Sequence, residues 1–181
     1  MEKILIAYAT WAGTTREVAE EIAKTLREKG TEAEVKPAGD ILSVSEFQAV
    51  ILGTSIHAGQ TVNHFNKFLR RNKLELHQKP FAAFVVCANM MEDNEKTRGE
   101  TTDWVKKALQ KHPEVKPVSI GLFGGAINTE SEDYKKLNFI FRKIIVSMKE
   151  NLTKQYGKTD FRDWDAIRNW ALEVSTLFQT S

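Results

Sequence analysis

Apolar runs of strand length alternate with amphipathic stretches along the whole chain. Runs rich in β-branched and aromatic residues fall at residues 3–9, 32–37, 49–53, 81–87 and 118–123. Between them the apolar positions change to a helical period. Val18, Ile22 and Leu26 with Ala19 and Ala23 make one stripe, Val62, Phe65, Phe68 and Leu69 a second, and Trp104, Val105, Ala108 and Leu109 a third. A last stripe carries Trp164, Ile167, Ala171, Val174 and Phe178, with Asp163 placed to cap it; Thr101 or Thr102 is the expected cap of the third helix. Strand alternating with helix predicts a doubly wound α/β fold, a five-stranded parallel sheet with helices on both faces. No repeat or low-complexity tract breaks the pattern, so a single domain over residues 1–181 is expected.

In such a sheet, ligands bind beyond the carboxyl ends of the strands, where the strand order reverses. Four segments there share one character. The first strand leads into Thr10, Trp11, Ala12, Gly13, Thr14 and Thr15, and a helix follows. Its first backbone N–H groups have no intrahelical partner, glycine admits close backbone approach, and threonines donate hydroxyl bonds, so the segment reads as a phosphate cradle. Alone, it reads equally as an ordinary strand-to-helix turn. The third strand leads into Gly53, Thr54, Ser55, Ile56, His57, Ala58 and Gly59. After the fourth come Ala88, Asn89, Met90 and Met91, and after the fifth Gly124, Gly125, Ala126, Ile127 and Asn128. Small and amide-bearing residues let loop N–H and C=O groups reach the edge of a flat heteroaromatic ring, so the expected ligand is planar and phosphorylated. The second strand has no such loop, which suits an edge position.

Charge narrows the function classes. Across 181 residues, 26 basic side chains against 24 acidic ones leave a net +2, too balanced for nucleic-acid binding by bulk electrostatics. The one cysteine, Cys87, rules out an internal disulfide framework and reads as a core residue, and His64, His77 and His112 lack ligand spacing, so no metal is expected. The opening apolar run is too short for a signal peptide and no segment approaches a membrane span, which points to the cytoplasm. One stretch stands apart: Leu137, Phe141, Ile144, Ile145 and Met148 repeat at helical spacing among Lys135, Lys136, Arg142, Lys143 and Lys149. With Phe139, Ile140 and Val146 added, its apolar surface is wider than one buried stripe needs. Such a helix either packs on the domain, covers a ligand or touches an anionic membrane surface.

The segment Thr10-x-Ala12-Gly13-x-Thr15 resembles the phosphate loop of the flavodoxin family, which binds FMN. Ala12 departs from the family's usual threonine, leaving backbone N–H groups to compensate for a hydroxyl. Gly53 to Gly59, the insertion at about 130–157 and Asp163-Trp164 are similar to a narrower branch, the menaquinone-dependent protoporphyrinogen IX dehydrogenases. The resemblance implies the flavodoxin strand order 2-1-3-4-5, with an extra helix inserted after the fifth strand. It implies FMN as cofactor, held by the four loops named above and specifically by residues 10–15, 54–59, 88–91 and 124–126. It implies oxidation of protoporphyrinogen IX with electrons passed to a quinone, and no catalytic side chain, His57 being at most a modulator. Contact of the helix at 134–150 with the inner face of the cell membrane is a further expectation. The alternative is a flavodoxin that carries electrons between protein partners; the strongly acidic surface typical of such carriers is missing here. The loops after strands three and four bring no aromatic ring, which predicts an open flavin face.

Overall fold

A computed structural model describes residues 3–180. The elements run β1 (Lys3–Ala9), α1 (Thr14–Glu28), β2 (Glu32–Pro37), β3 (Ala49–His57), β4 (Gln60–Thr61), α2 (Asn63–Leu76), β5 (Phe81–Cys87), α3 (Glu95–Leu109), β6 (Ile120–Gly124), α4 (Glu132–Lys136), α5 (Phe139–Tyr156) and α6 (Trp164–Gln179). Five parallel strands lie in the order β2-β1-β3-β5-β6, which is the expected topology with β2 at the edge. The short β4 was not foreseen; it turns back antiparallel on the end of β3.

Side-chain alternation along the strands divides the core into two layers. Leu5, Ala7 and Ala9 of β1 face the layer that holds Leu52, Phe65, Phe68, Leu69 and Val105, beneath α2 and α3. Ile4 and Ile6 face the other, with Val18, Ile22, Ile51, Phe84 and Val174, beneath α1 and α6. These side chains are all but fully buried, and each of the valines, leucines, isoleucines and phenylalanines contributes about 1.5–3 kcal/mol of transfer free energy. Gly53 in β3 makes room for the Phe84 ring lying across it from β5; a Cβ there would run into that ring.

Three expectations need correction. The third helix starts at Glu95 and not after a threonine cap: Asn94 Oδ1 accepts from the Thr97 N–H at 3.1 Å, and Thr97 Oγ1 accepts from the Asn94 N–H at 3.1 Å. Thr101 and Thr102 lie inside that helix, whose first turn is exposed and so carries no apolar stripe to mark it. The last strand is regular only from Ile120: the Val118 N–H still donates to Phe81 O of β5 at 2.7 Å, but its side chain stands 39% exposed. The insertion is two helices, since the chain is extended at Leu137 and Asn138 and the Asn138 side chain caps α5 through the Phe141 N–H at 3.1 Å. Asp163 caps α6 as expected, accepting from the Ala166 N–H at 2.9 Å.

The insertion ends where it began. Gly157 closes α5 in the left-handed conformation, φ 67°. The chain then pairs with its own outgoing segment: the Ile127 N–H donates to Thr159 O at 2.9 Å and the Phe161 N–H to Gly125 O at 3.0 Å, around a bridge between Ala126 and Asp160.

Candidate functional site

At the carboxyl ends of the strands lies a cavity of about 330 Å³. Its floor is built by the four loops singled out in the sequence. Its roof is α5, whose Phe141, Ile144, Ile145, Met148 and Leu152 fall on one helical face.

The loop after β1 turns through Gly13, whose φ of 96° suits a residue without a side chain, and Thr10 Oγ1 accepts the Gly13 N–H at 2.8 Å. The Trp11 N–H donates to Ser55 Oγ at 3.1 Å, tying this loop to β3. Ser131, from the root of the insertion, donates its hydroxyl to Ala12 O at 3.1 Å. Thr15, in the first turn of α1, is fully buried, and its Oγ1 has no hydrogen-bond partner. Thr14, by contrast, lines the cavity in the same first turn, where the opening N–H groups of α1 have no intrahelical partner. A glycine turn, a hydroxyl on the cavity wall and a helix N-terminus are the donor set a phosphate would need.

The end of β3 is shaped by its hairpin. Ala58 and Gly59 both take positive φ, 48° and 72°, which places His57 opposite Gln60 and turns the strand sharply at the cavity rim. Three rings from three segments meet there. Trp11 and His57 lie 4.4 Å apart between centroids, tilted by 33°, and Phe141 of α5 stands edge-on to Trp11 at 5.5 Å. Phe141 belongs to the cavity's roof, because the insertion folds back over the loops.

Of the residues expected at the site, Trp11, Ala12, Thr14, Ser55, Ile56, His57, Ala58, Ala88, Met91, Gly125 and Ala126 line the cavity. Thr10, Gly13 and Thr15 sit just behind as the frame of the first loop. The others are placed elsewhere for identifiable reasons. Thr54 Oγ1 is buried between Ser55 O, to which it donates, and the Val62 N–H, which it accepts. The Asn89 amide donates to Thr97 O and Thr101 Oγ1, both at 3.1 Å, and holds the start of α3. Met90 is buried in the core, Gly59 packs on Trp104, and Gly124 lies against the Phe161 carbonyl. Val86, Leu152, Thr159 and Phe161 also line the cavity with no local mark in the sequence: Val86 lies inside buried β5, Leu152 extends the α5 face, and Thr159 and Phe161 arrive on the insertion's return.

The electrostatics are plain. Among the described residues the lining includes no lysine, arginine or carboxylate. Burial pushes the Cys87 thiol above its ordinary value, against weaker hydrogen bonds from Met90, Thr101 and Asn89, so it stays protonated and unreactive at neutral pH. Charge is kept at the back of the site, where Arg162, 8% exposed, bonds Glu17 of α1 at 2.5 Å and Asp160 at 2.6 Å. Burial alone would lower the Arg162 pKa, but the bonds to Asp160 and Glu17 outweigh it and hold it above normal. No group of three or more His, Cys, Asp or Glu among the described residues is placed to hold a metal. A neutral, ring-lined slot beside an anion cradle can hold a flat molecule with an anionic tail, while its own side chains supply little acid–base chemistry.

Comparisons with known proteins bear on the family and the fold. A family model described as a flavodoxin domain matches residues 5–160. The chain is 26% identical over 177 residues to the protoporphyrinogen IX dehydrogenase (quinone) of Escherichia coli strain K12, covering 97% of this chain and 96% of that protein. It is also 26% identical over 191 residues to a protein of the same name from Leishmania major, covering 97% of this chain and 75% of that one. Among solved structures, oxidised Flavodoxin 2 from Bacillus cereus superposes with a TM-score of 0.58 at 18% identity, over 97% of this chain and 99% of that one. A Fusobacterium nucleatum flavodoxin bound to flavin mononucleotide gives 0.53 at 15% identity, over 98% and 99%. These two structural likenesses concern the fold.

Proposed function

This chain belongs to the flavodoxin domain family, and we propose that it is an FMN-dependent oxidoreductase that oxidises protoporphyrinogen IX and passes the electrons to a quinone. The observation that carries the cofactor is the loop after β1, which turns at Gly13 and brings Ala12 and Thr14 to the cavity wall at the N-terminus of α1. Thr10 to Thr15 would hold the phosphate, and the rim formed by Ser55 to Ala58, Ala88, Met91, Gly125 and Ala126 would border the ring. FMN, when bound, supplies the ability to accept a hydride equivalent and release electrons. The chain's residues position it, exclude water through the α5 face, and keep charged side chains away from the ring. Neither His57 nor Cys87 is arranged as a general base: His57 is exposed and packed on Trp11, and the Cys87 thiol stays protonated.

The substrate reading rests on the roof. A covering helix with an apolar inner face suits a lipophilic reductant better than electron exchange between protein surfaces. The same helix turns Phe139, Ile140 and Val146 outward, 64%, 55% and 40% exposed. The two inserted helices carry six lysine or arginine side chains against three carboxylates, so this face would rest on an anionic lipid surface, where quinones reside. No helix among the described residues is long and apolar enough to cross a membrane.

The test is anaerobic. Protoporphyrinogen should bleach the flavin absorbance of the purified protein, and a menaquinone analogue should restore it. Reduction only by a reductase or ferredoxin would instead favour the carrier. A colourless protein that takes up no FMN on titration would remove both readings. Sedimentation with anionic, but not neutral, vesicles tests the membrane face.

A further inference from the structure

We propose that a second, polar cleft at the root of the insertion is a subsite for a carboxylate arm of the substrate, with Lys149 of α5 as its cation; this rests on the porphyrinogen reading above. The cleft, of about 240 Å³, adjoins the ring cavity: Ala126, Ile127, Asn128 and Thr159 border both. Their chemistry differs. The ring cavity is lined without a lysine, arginine or carboxylate among the described residues, whereas the cleft brings Lys149, Arg162, Glu130 and Asp160 to its walls. A flat molecule with an apolar body and an anionic side arm matches the two together.

Most polar groups of the cleft are already engaged. Arg162 is paired with Asp160 and Glu17, and the Asn128 amide donates to Glu17 Oε1 at 2.8 Å while its carbonyl oxygen accepts the Glu130 N–H at 2.9 Å. Lys149 is different. Its ammonium donates to Thr129 Oγ1 at 3.1 Å, a neutral acceptor, and makes no ion pair among the described residues, so further N–H groups remain for a ligand. Of the six basic side chains on α4 and α5, Lys149 alone is half-buried; the others are exposed and free to meet a lipid surface. It lies four residues after Ile145 and three before Leu152, on the helix face that roofs the ring cavity. A cation withdrawn from water gains most from an anionic partner, through charge-assisted hydrogen bonds. Protoporphyrinogen supplies one, since its carboxylate arms project from one edge of an apolar macrocycle. Glu130, exposed at the rim and without an ion pair among the described residues, has the opposite charge and would oppose the same arm.

Titrations of the FMN-loaded protein with protoporphyrin IX and with its dimethyl ester, followed by porphyrin absorbance, read the subsite without turnover; KM for the two porphyrinogens reads it during turnover. Lys149→Met should weaken the acid about tenfold and raise its KM as much, with kcat, FMN affinity and ester binding within about twofold of the wild type. Lys149→Arg should keep most of the affinity for the acid. Glu130→Gln should move it the other way, to about twofold tighter binding, with the ester unchanged. Should Lys149→Met not fold, Lys149→Gln, which can still donate to Thr129, reads the same ratio of acid to ester. Equal losses for acid and ester would mean that Lys149 only fastens α5 to its root, and would overturn the inference. So would unchanged affinity for both, or a wild-type protein that does not distinguish acid from ester. A wild-type protein that binds and oxidises neither porphyrinogen would instead overturn the substrate reading along with this one.

Discussion

The floor and the roof of the cavity are built on different physical terms. Beneath the floor, β1, β3 and β5 are buried on both faces, and Leu5, Ile6, Leu52 and Phe84 have no solvent exposure at all. The roof helix α5 buries one residue, Ile145, and leaves Phe139, Ile140, Ile144, Val146 and Met148 between 40% and 64% exposed. A rigid sheet fixes loop positions to within the tolerance hydrogen bonds demand, whereas a lightly held helix covers the site and can still be displaced at low cost. Division of labour follows: precision on one side, access on the other.

The comparison is most exposed to a pair of matched truncations. Leu52→Ala in the floor should cost about 4 kcal/mol in chemical denaturation, and Ile145→Ala in the roof only about 1 kcal/mol, because the helix can settle into the space. Equal losses would mean that the roof is part of the core and sink the contrast. Arg162→Met falls between them at about 2 kcal/mol, since it strips two carboxylates of a nearly buried partner. That variant should also change acid unfolding. Burial raises the Asp160 pKa, but the hydrogen bonds from Arg162 more than reverse this, so the folded value lies below the ordinary one. The resulting stability is complete above about pH 4 and fades as pH falls through the lowered pKa. Arg162→Met should remove that portion of the acid dependence, which pH-jump denaturation would reveal.

Hydrogen exchange sharpens the same contrast without substitution. Amides of α5 should exchange through local opening, well ahead of those in β1, β3 and β5, which wait for global unfolding. The smallest effect is expected at the rim. Ala58→Gly relieves a positive φ and should change stability by about 0.5–1 kcal/mol at most, in the stabilising direction, read from the thermal midpoint.

How much of this was legible in the chain depends on range. Periodicity revealed the strands, the main helical stripes and the strand-end loops, because burial on a sheet or helix face is written locally. The start of α3 was hidden because Glu95 to Gly99 face solvent and the capping box uses Thr97 where glutamate is usual. The break at Leu137 and Asn138 was masked by apolar residues on both sides. The hairpin turn at Ala58 and Gly59 looks like plain loop in the sequence, since β4 has only two residues and no alternation to show. The ring cluster of Trp11, His57 and Phe141 and the Arg162 network join residues as much as 145 positions apart, and no local signal encodes such meetings.

The pairing of Gly125 to Ile127 with Thr159 to Phe161 has a topological consequence. A segment whose two ends are stitched together adds almost nothing to the distance the rest of the chain must close. The excursion can lengthen, shorten or be exchanged while β6 and α6 keep their places. The same stitch covers part of the outgoing chain beside β6, denying other molecules an unpaired strand there. The roof is therefore a fitting whose length the frame does not dictate, tied to it at a single paired root.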